Sequence, residues 1–255
     1  MTLIELLVVI SIIGVLAGLI LPAVGNVKKK ARVVQAQKDM ADMKGAISVY
    51  QHDYSRLPAS AGAVAAAASY GGDFTFGATS TGYGGGTTNV YNRNNGGYQA
   101  SNAELMLILT AATTFPDYTT NNSNASDVRN PRKTGYFSAK SSGANATSPT
   151  KGLGTDGVMR DPWGNPYIIA LDLNYDGWVS NSVYNHNTVN NGVTPSTGLV
   201  RQGAAGTHTW ALKDSVMIMS FGHDGQFGPS SEATPVSPAV AANVDPNKDN
   251  VLSWK

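Results

Sequence analysis

Met1-Thr-Leu-Ile-Glu5-Leu-Leu-Val-Val-Ile10 opens the chain, and the sequence then stays apolar from Leu6 to Val24, interrupted only by Ser11, Gly14, Gly18 and Pro22. A helix over that run is long enough to cross the hydrocarbon of a bilayer. Its single charge, Glu5, is then the residue to explain, because a carboxylate in hydrocarbon costs about 3 kcal/mol or more and is a functional candidate by default. The cation always present nearby is the free α-amino group. Glu5 lies one turn beyond residue 1, and a carboxylate near a helix N-terminus is favoured by the helix dipole. Two arrangements compete. In one, the helix is a membrane anchor with Glu5 at the headgroup level. In the other, identical helices pack together and each amine meets a neighbour's Glu5. Gly14, Ala17 and Gly18 permit close approach between helix backbones.

The segment resembles the mature N-terminus of type IV pilins and type II secretion pseudopilins, whose usual form is Phe-Thr-Leu-Ile-Glu-Leu-Leu. Thr2, Leu3, Ile4, Glu5, Leu6, Leu7, Val8, Val9, Ile10, Ile13, Gly14, Leu16, Ala17 and Pro22 stand where that family places them. The resemblance implies a precursor cut after a glycine by an inner-membrane prepilin peptidase, N-methylation of residue 1, and assembly into a helical homopolymer by pilus or secretion machinery. Glu5 would recruit and neutralise the previous subunit's terminus. Met1 departs from the usual Phe, and the sequence reads as starting at the processing site.

Pro22 and Gly25 weaken the helix at one place, since proline lacks an amide donor and glycine has poor helical propensity. In a lone membrane helix this is a kink; the family resemblance implies a stretch that can melt on polymerisation. Lys28, Lys29, Lys30 and Arg32 follow as a basic collar suited to a membrane surface or a solvated flank. Beyond them Val33, Ala36, Met40, Met43, Ile47, Tyr50 and Tyr54 recur in steps of three and four, the pattern of an amphipathic helix. Leu57-Pro58 ends it. The chain therefore divides into an apolar membrane or filament-core helix over 1–27, an amphipathic continuation over 28–57, and a head over 58–255. A joined helix of this length would reach roughly 80 Å.

The head is rich in Gly, Ser, Thr and Asn. The net charge of +1 gives no electrostatic footprint for nucleic acid. The absence of cysteine removes disulfides and thiolate metal sites. The stretch from Gly71 to Gly97 reads as exposed loop. Ser101-Asn-Ala-Glu104 has the spacing of a capping box before a short buried helix. The stretch from Asn121 to Ser148 is a second polar excursion carrying sequons at Asn121, Asn124 and Asn145. Ile168-Ile-Ala-Leu171 and Ser215 to Phe221 read as strands, with Trp178-Val179 returning antiparallel. The expected fold is α+β: a long N-terminal helix packed on a small antiparallel sheet with long polar loops, the type IV pilin-like arrangement. The turn Asp161-Pro-Trp-Gly-Asn-Pro-Tyr167 followed by a strand closely resembles the major pseudopilin of type II secretion systems.

Three loops concentrate oxygen ligands. Asp172, Asn174 and Asp176 before Gly177 fit the first half of a calcium loop, to which Trp178 adds a carbonyl; Val183 stands where such a loop would end in Glu. The competing reading is a polar turn built from Asx turns. Gly222-His-Asp224-Gly and Asp245-Pro-Asn247-Lys-Asp249 resemble the C-terminal region where major pseudopilins bind a structural calcium, which implies Asp224 and Asp249 as ligands and, more weakly, Asp245 and Asn247. His52, His186, His208 and His223 are scattered, and no nucleophile motif appears. The sequence thus points away from an enzyme and toward a structural subunit of an extracellular filament or a secretion pseudopilus. The alternatives are a single-pass membrane-anchored binding domain and a periplasmic secretion piston.

Overall fold

The computed structural model describes residues 2–70, 72–77, 100–117, 124–181, 198–202, 209–223, 225 and 249–254, with the backbone alone at 17, 19–24, 26, 70, 125, 201, 202 and 209. Helix α1 (Leu3–Tyr54) runs unbroken, Pro22 and Gly25 included. It stops where Ser55 turns into the left-handed region at φ 53°, a few residues before Leu57-Pro58. Ala36, Met40, Met43, Ile47 and Tyr50 are buried, with Val33 and Tyr54 packed beside them, so the stripe read from spacing is the face laid on the head.

Helix α2 (Ala61–Tyr70) leads into β1 (Asp73–Phe76). Helix α3 (Ala103–Leu109) is buried on every side. A hairpin of β2 (Gly152–Leu153) and β3 (Met159–Arg160) precedes β4 (Ile168–Asp172). Then come β5 (Val179–Ser180), β6 (Val200–Gln202), β7 (Thr209–Leu212), β8 (Val216–Ser220) and β9 (Val251–Leu252). The central sheet is antiparallel in the order β1-β4-β8-β9, with Ile169 opposite Ile218 and Asp73 opposite Asp172.

This sheet is covered on both faces. Ile169, Leu171, Val216, Ile218 and Val251 join the core under α1. Ile168, Ala170, Met217, Met219 and Leu252 face the other way, against Val179 and Trp210 of a second sheet ordered β5-β7-β6 and Leu199 just before β6. Strands buried on both faces read as continuous apolar runs, which is why Ile-Ile-Ala-Leu and Val-Met-Ile-Met carry no alternation.

Three expectations need correction. The segment Trp178-Val179 does not return against β4: β5 pairs with β7 in the second sheet. The Gly71-to-Gly97 stretch is not all exposed loop, because Phe74 and Phe76 of β1 are buried core; 78–99 lie outside the described residues. The capping box at Ser101 does not form. The helix is preceded by Asn102, whose side chain instead donates to the carbonyls of Met159 and Tyr167 and accepts from the amide of Met159. The sequon residue Asn124 is buried, donating to the Ala112 carbonyl and accepting from the amides of Arg129 and Asn130. Among the described residues no helix is long and apolar enough to cross a membrane, so the bilayer span expected over 1–27 is not found there.

Candidate functional site

Residues 3–16 of α1 join no core cluster among the described residues. Thr2 is extended at φ −87° and ψ 154°, and its amide donates to Glu5 Oε2 at 2.6 Å while the Glu5 amide donates to Thr2 Oγ1 at 3.4 Å. This reciprocal pair closes two helix-end amides that would otherwise lack partners. Glu5 Oε1 makes no hydrogen bond among the described residues. Met1 lies outside those residues. From Leu3, 79% exposed, to Leu16, 52% exposed, every large apolar side chain faces solvent. These residues cover the full circumference of the helix rather than one stripe, and a helix apolar all round needs an apolar surround.

The C-terminal loops meet beside the sheet. The amide of His223 donates to Asp249 Oδ2 at 2.6 Å. Gly222 has φ +71°, and a Cβ there would sit 2.3 Å from the Asp249 carbonyl oxygen, so only glycine lets the two segments approach this closely. The Asp161 turn braces this junction: Asn165 Nδ2 donates to the Gly222 carbonyl, and Ser220 Oγ accepts from the Gly222 amide while donating to Asp161 Oδ2. Asp161 Oδ1 accepts from the amides of Trp163 and Asn165. Burial pushes the Asp161 carboxyl up to about 6 against these hydrogen bonds, which pull the other way. The structure thus brings Asp249 to the Gly222-His223 turn; Asp224, Asp245 and Asn247 lie outside the described residues. Lys29 of the basic collar and Trp163 line the cleft that these segments leave beside α1.

The loop at 172–178 folds as a set of Asx turns. Asp172 Oδ2 accepts from the Gly177 amide at 2.9 Å, Asn174 Oδ1 from the Asp176 amide, and Asp176 Oδ1 from the Trp178 amide. Asn174 Nδ2 donates to Asp176 Oδ2 at 3.0 Å. Tyr175, at φ +60°, carries its hydroxyl to the amide of Leu57 just beyond α1. Spacing missed one carboxylate: Asp73, a hundred residues upstream, stands directly opposite Asp172 in the β1–β4 ladder. Its Oδ2 accepts from the amide and the hydroxyl of Ser180, both at 2.7 Å. Burial raises the Asp73 carboxyl to about 7; the Ser180 bonds oppose this, and the charges of Asp172 and Asp176 add to it. The Asp172 carboxyl is also raised, chiefly by burial. Among the described residues no group of three or more His, Asp or Glu side chains is already arranged to hold a metal ion.

Comparison with known proteins finds likeness over part of the chain. The type II secretion system core protein G of Klebsiella pneumoniae is 42% identical over 57 residues, covering 22% of this chain and 41% of that protein. The same protein of Pectobacterium carotovorum subsp. carotovorum is 40% identical over 57 residues, covering 22% and 36%. The fimbrial protein EcpC of Eikenella corrodens is 38% identical over 73 residues, covering 29% and 48%. The chain spans less than half the length of the curated relatives it matches. No family model and no solved structure matches it. This partial likeness, to a type II secretion system core protein and a fimbrial protein, supports the pilin and pseudopilin family for this chain.

Proposed function

We propose that this chain is the repeating subunit of an extracytoplasmic filament, a pilus or pseudopilus, built by packing the N-terminal halves of α1 from many copies into one core. The observation that carries the reading is the bare apolar circumference of residues 3–16. Each half-exposed Leu, Ile or Val there gains roughly 1 kcal/mol when a neighbour covers the rest of its surface. Neighbouring helices supply that cover without leaving backbone groups unpaired, because the helix has satisfied its own.

Glu5 gives the packing a register. Oε2 is engaged by the capping pair, and Oε1 takes the terminal amine of the preceding copy, converting a lone buried carboxylate into a charge pair. Before assembly the same apolar half rests in the inner membrane, where a prepilin peptidase exposes the terminus and methylates it. The head faces outward, and secretion or pilus machinery supplies the motor. Pro22 and Gly25 mark where the helix would open as subunits stack. Calcium at Asp249, with Asp224, Asp245 and Asn247, would hold the C-terminal loops in place of a disulfide. The contact of Asp249 with the Gly222-His223 turn supports that fit.

The test is Glu5→Ala in cells that carry the assembly machinery. The variant is expected to accumulate in the membrane fraction at wild-type level while sheared fibres disappear. Undiminished fibres would overturn the reading.

A further inference from the structure

The carboxylates of Asp73 and Asp172 form an uncomfortable pair. They are direct cross-strand partners at the end of an antiparallel ladder, where Cβ atoms lie about 5 Å apart on the same face and like charges repel. Asp172 is 3% exposed, and Asp73 is half-buried. One oxygen of each is accounted for: Asp73 Oδ2 by Ser180, and Asp172 Oδ2 by the Gly177 amide. The other oxygen of each, Oδ1 in both cases, is buried without a well-aligned hydrogen bond, although the amides of Tyr175 and Asp176 also lie near enough to the Asp172 carboxyl to favour its charge. A buried unpaired carboxylate oxygen is expensive, and two on adjacent strands are more so.

The surrounding backbone is shaped around this point. Gly72 has φ +96°, and a Cβ there would collide with the side chain of Asn174, so the loop at 172–178 is folded down onto the start of β1. The Leu173 amide donates to the Gly72 carbonyl at 3.1 Å and fixes that approach. Asp176 completes the negative environment from the rim of the loop, near enough for its charge to act on both carboxyls.

We propose that a divalent cation of the oxygen-preferring kind, calcium foremost, is held between β1 and the loop at 172–178 by the Oδ1 atoms of Asp73 and Asp172, with Asp176 at its outer edge. This site rests on the reading of that loop as a cation loop and is independent of the filament. It differs from a helix-loop-helix calcium site in that the missing final carboxylate is replaced by a residue from another strand. Calcium takes about six to eight oxygens, many of them carbonyls and water, so two carboxylates with loop carbonyls suffice as a core. Because the Tyr175 hydroxyl accepts from the Leu57 amide, the filled loop would also brace the end of α1 against the head.

The test uses the full-length chain in detergent, stripped with chelator and titrated with calcium and, separately, with terbium, which takes the same oxygen ligands and emits when nearby indole is excited. Calcium is expected to raise the melting temperature of the wild type at pH 8. Terbium emission is expected from the wild type, to fall in Trp178→Phe, and to drop at least tenfold in affinity in Asp73→Asn and Asp172→Asn. Asp73→Asn keeps an acceptor for Ser180 and is the variant least exposed to misfolding; circular dichroism checks its fold. Asp249→Asn should retain this emission. Calcium stabilisation and terbium binding that survive Asp73→Asn but vanish in Asp249→Asn would place the metal in the C-terminal loops and overturn the proposal. So would a wild type indifferent to calcium that is outlasted on heating by Asp73→Asn, because the pair would then share a proton instead.

Discussion

Ile47 and Val49 sit two residues apart on α1, yet the structure gives them opposite weights. Ile47 is 0% exposed in the core under the helix, whereas Val49 is 55% exposed. Truncating Ile47 to Ala removes three buried carbons. At about 0.8 kcal/mol each the transfer loss is about 2.4 kcal/mol, and the cavity left in a seam between a long helix and a sheet adds about 1 kcal/mol more. The gain in helix propensity returns about 0.4 kcal/mol. The expected net loss is about 3 kcal/mol, a fall in melting temperature of roughly 6–12 °C for a head of this size. Val49→Ala gains the same propensity and loses little burial, so it should stay within about 0.5 kcal/mol of wild type. Thermal and urea unfolding of both variants in the same detergent would read the difference. Comparable losses, or a larger one for Val49→Ala, would refute the placement of the helix on the sheet.

Three further outcomes follow from named contacts. Asp161, buried with its carboxyl raised to about 6, contributes stability that is fully present below its unfolded pKa of about 3.9 and is lost as pH rises through 6. The two-unit difference is worth on the order of 3 kcal/mol, so wild type should lose more melting temperature between pH 4.5 and 8 than Asp161→Asn does. Asn102→Ala strips the side-chain partner from the Met159 amide and from the Tyr167 carbonyl at once, while the Met159 carbonyl keeps the Tyr167 amide. At about 1–3 kcal/mol for each buried orphan the loss should exceed 2 kcal/mol in urea unfolding. Gly222→Ala forces a Cβ toward the Asp249 carbonyl at a positive φ. It should cost more than about 1 kcal/mol and make the C-terminal segment the first point of cleavage in limited proteolysis.

The elements that could be read in advance are those whose pattern is local. The three-and-four spacing from Val33 to Tyr54 names the face of α1 that is buried, and the apolar runs at Ile168 and Val216 name the two central strands. What escaped depends on partners distant in sequence. The Asp-Phe-Thr-Phe of β1 lies in a glycine-rich tract, and it becomes a strand because β4 pairs with it and its phenylalanines fill the core. Helix α2 is mostly alanine and offered no periodicity. The second sheet was signalled only by the lack of alternation in β4 and β8, which demands cover on both faces.

The candidate site divides in the same way. Glu5 is visible because a lone charge in an apolar run is a local anomaly. The 172–178 loop was visible from its alternating oxygens, but its Asn174 and Asp176 side chains are engaged with their own turn. The carboxylate that faces Asp172 was invisible because no spacing rule links residue 73 to residue 172. Asp249 meets the Gly222-His223 turn through a glycine whose positive φ the sequence alone does not announce.

The central claim is that the apolar front of α1 exists to be covered by copies of itself. A helical reconstruction of fibres sheared from cells would decide it. The account predicts residues 3–16 enclosed by the same residues of neighbouring subunits, with each Glu5 carboxylate against the terminal amine of an adjacent copy. A fibre whose core is made by other parts of the head, with these helices projecting outward and Glu5 remote from any terminus, would contradict it.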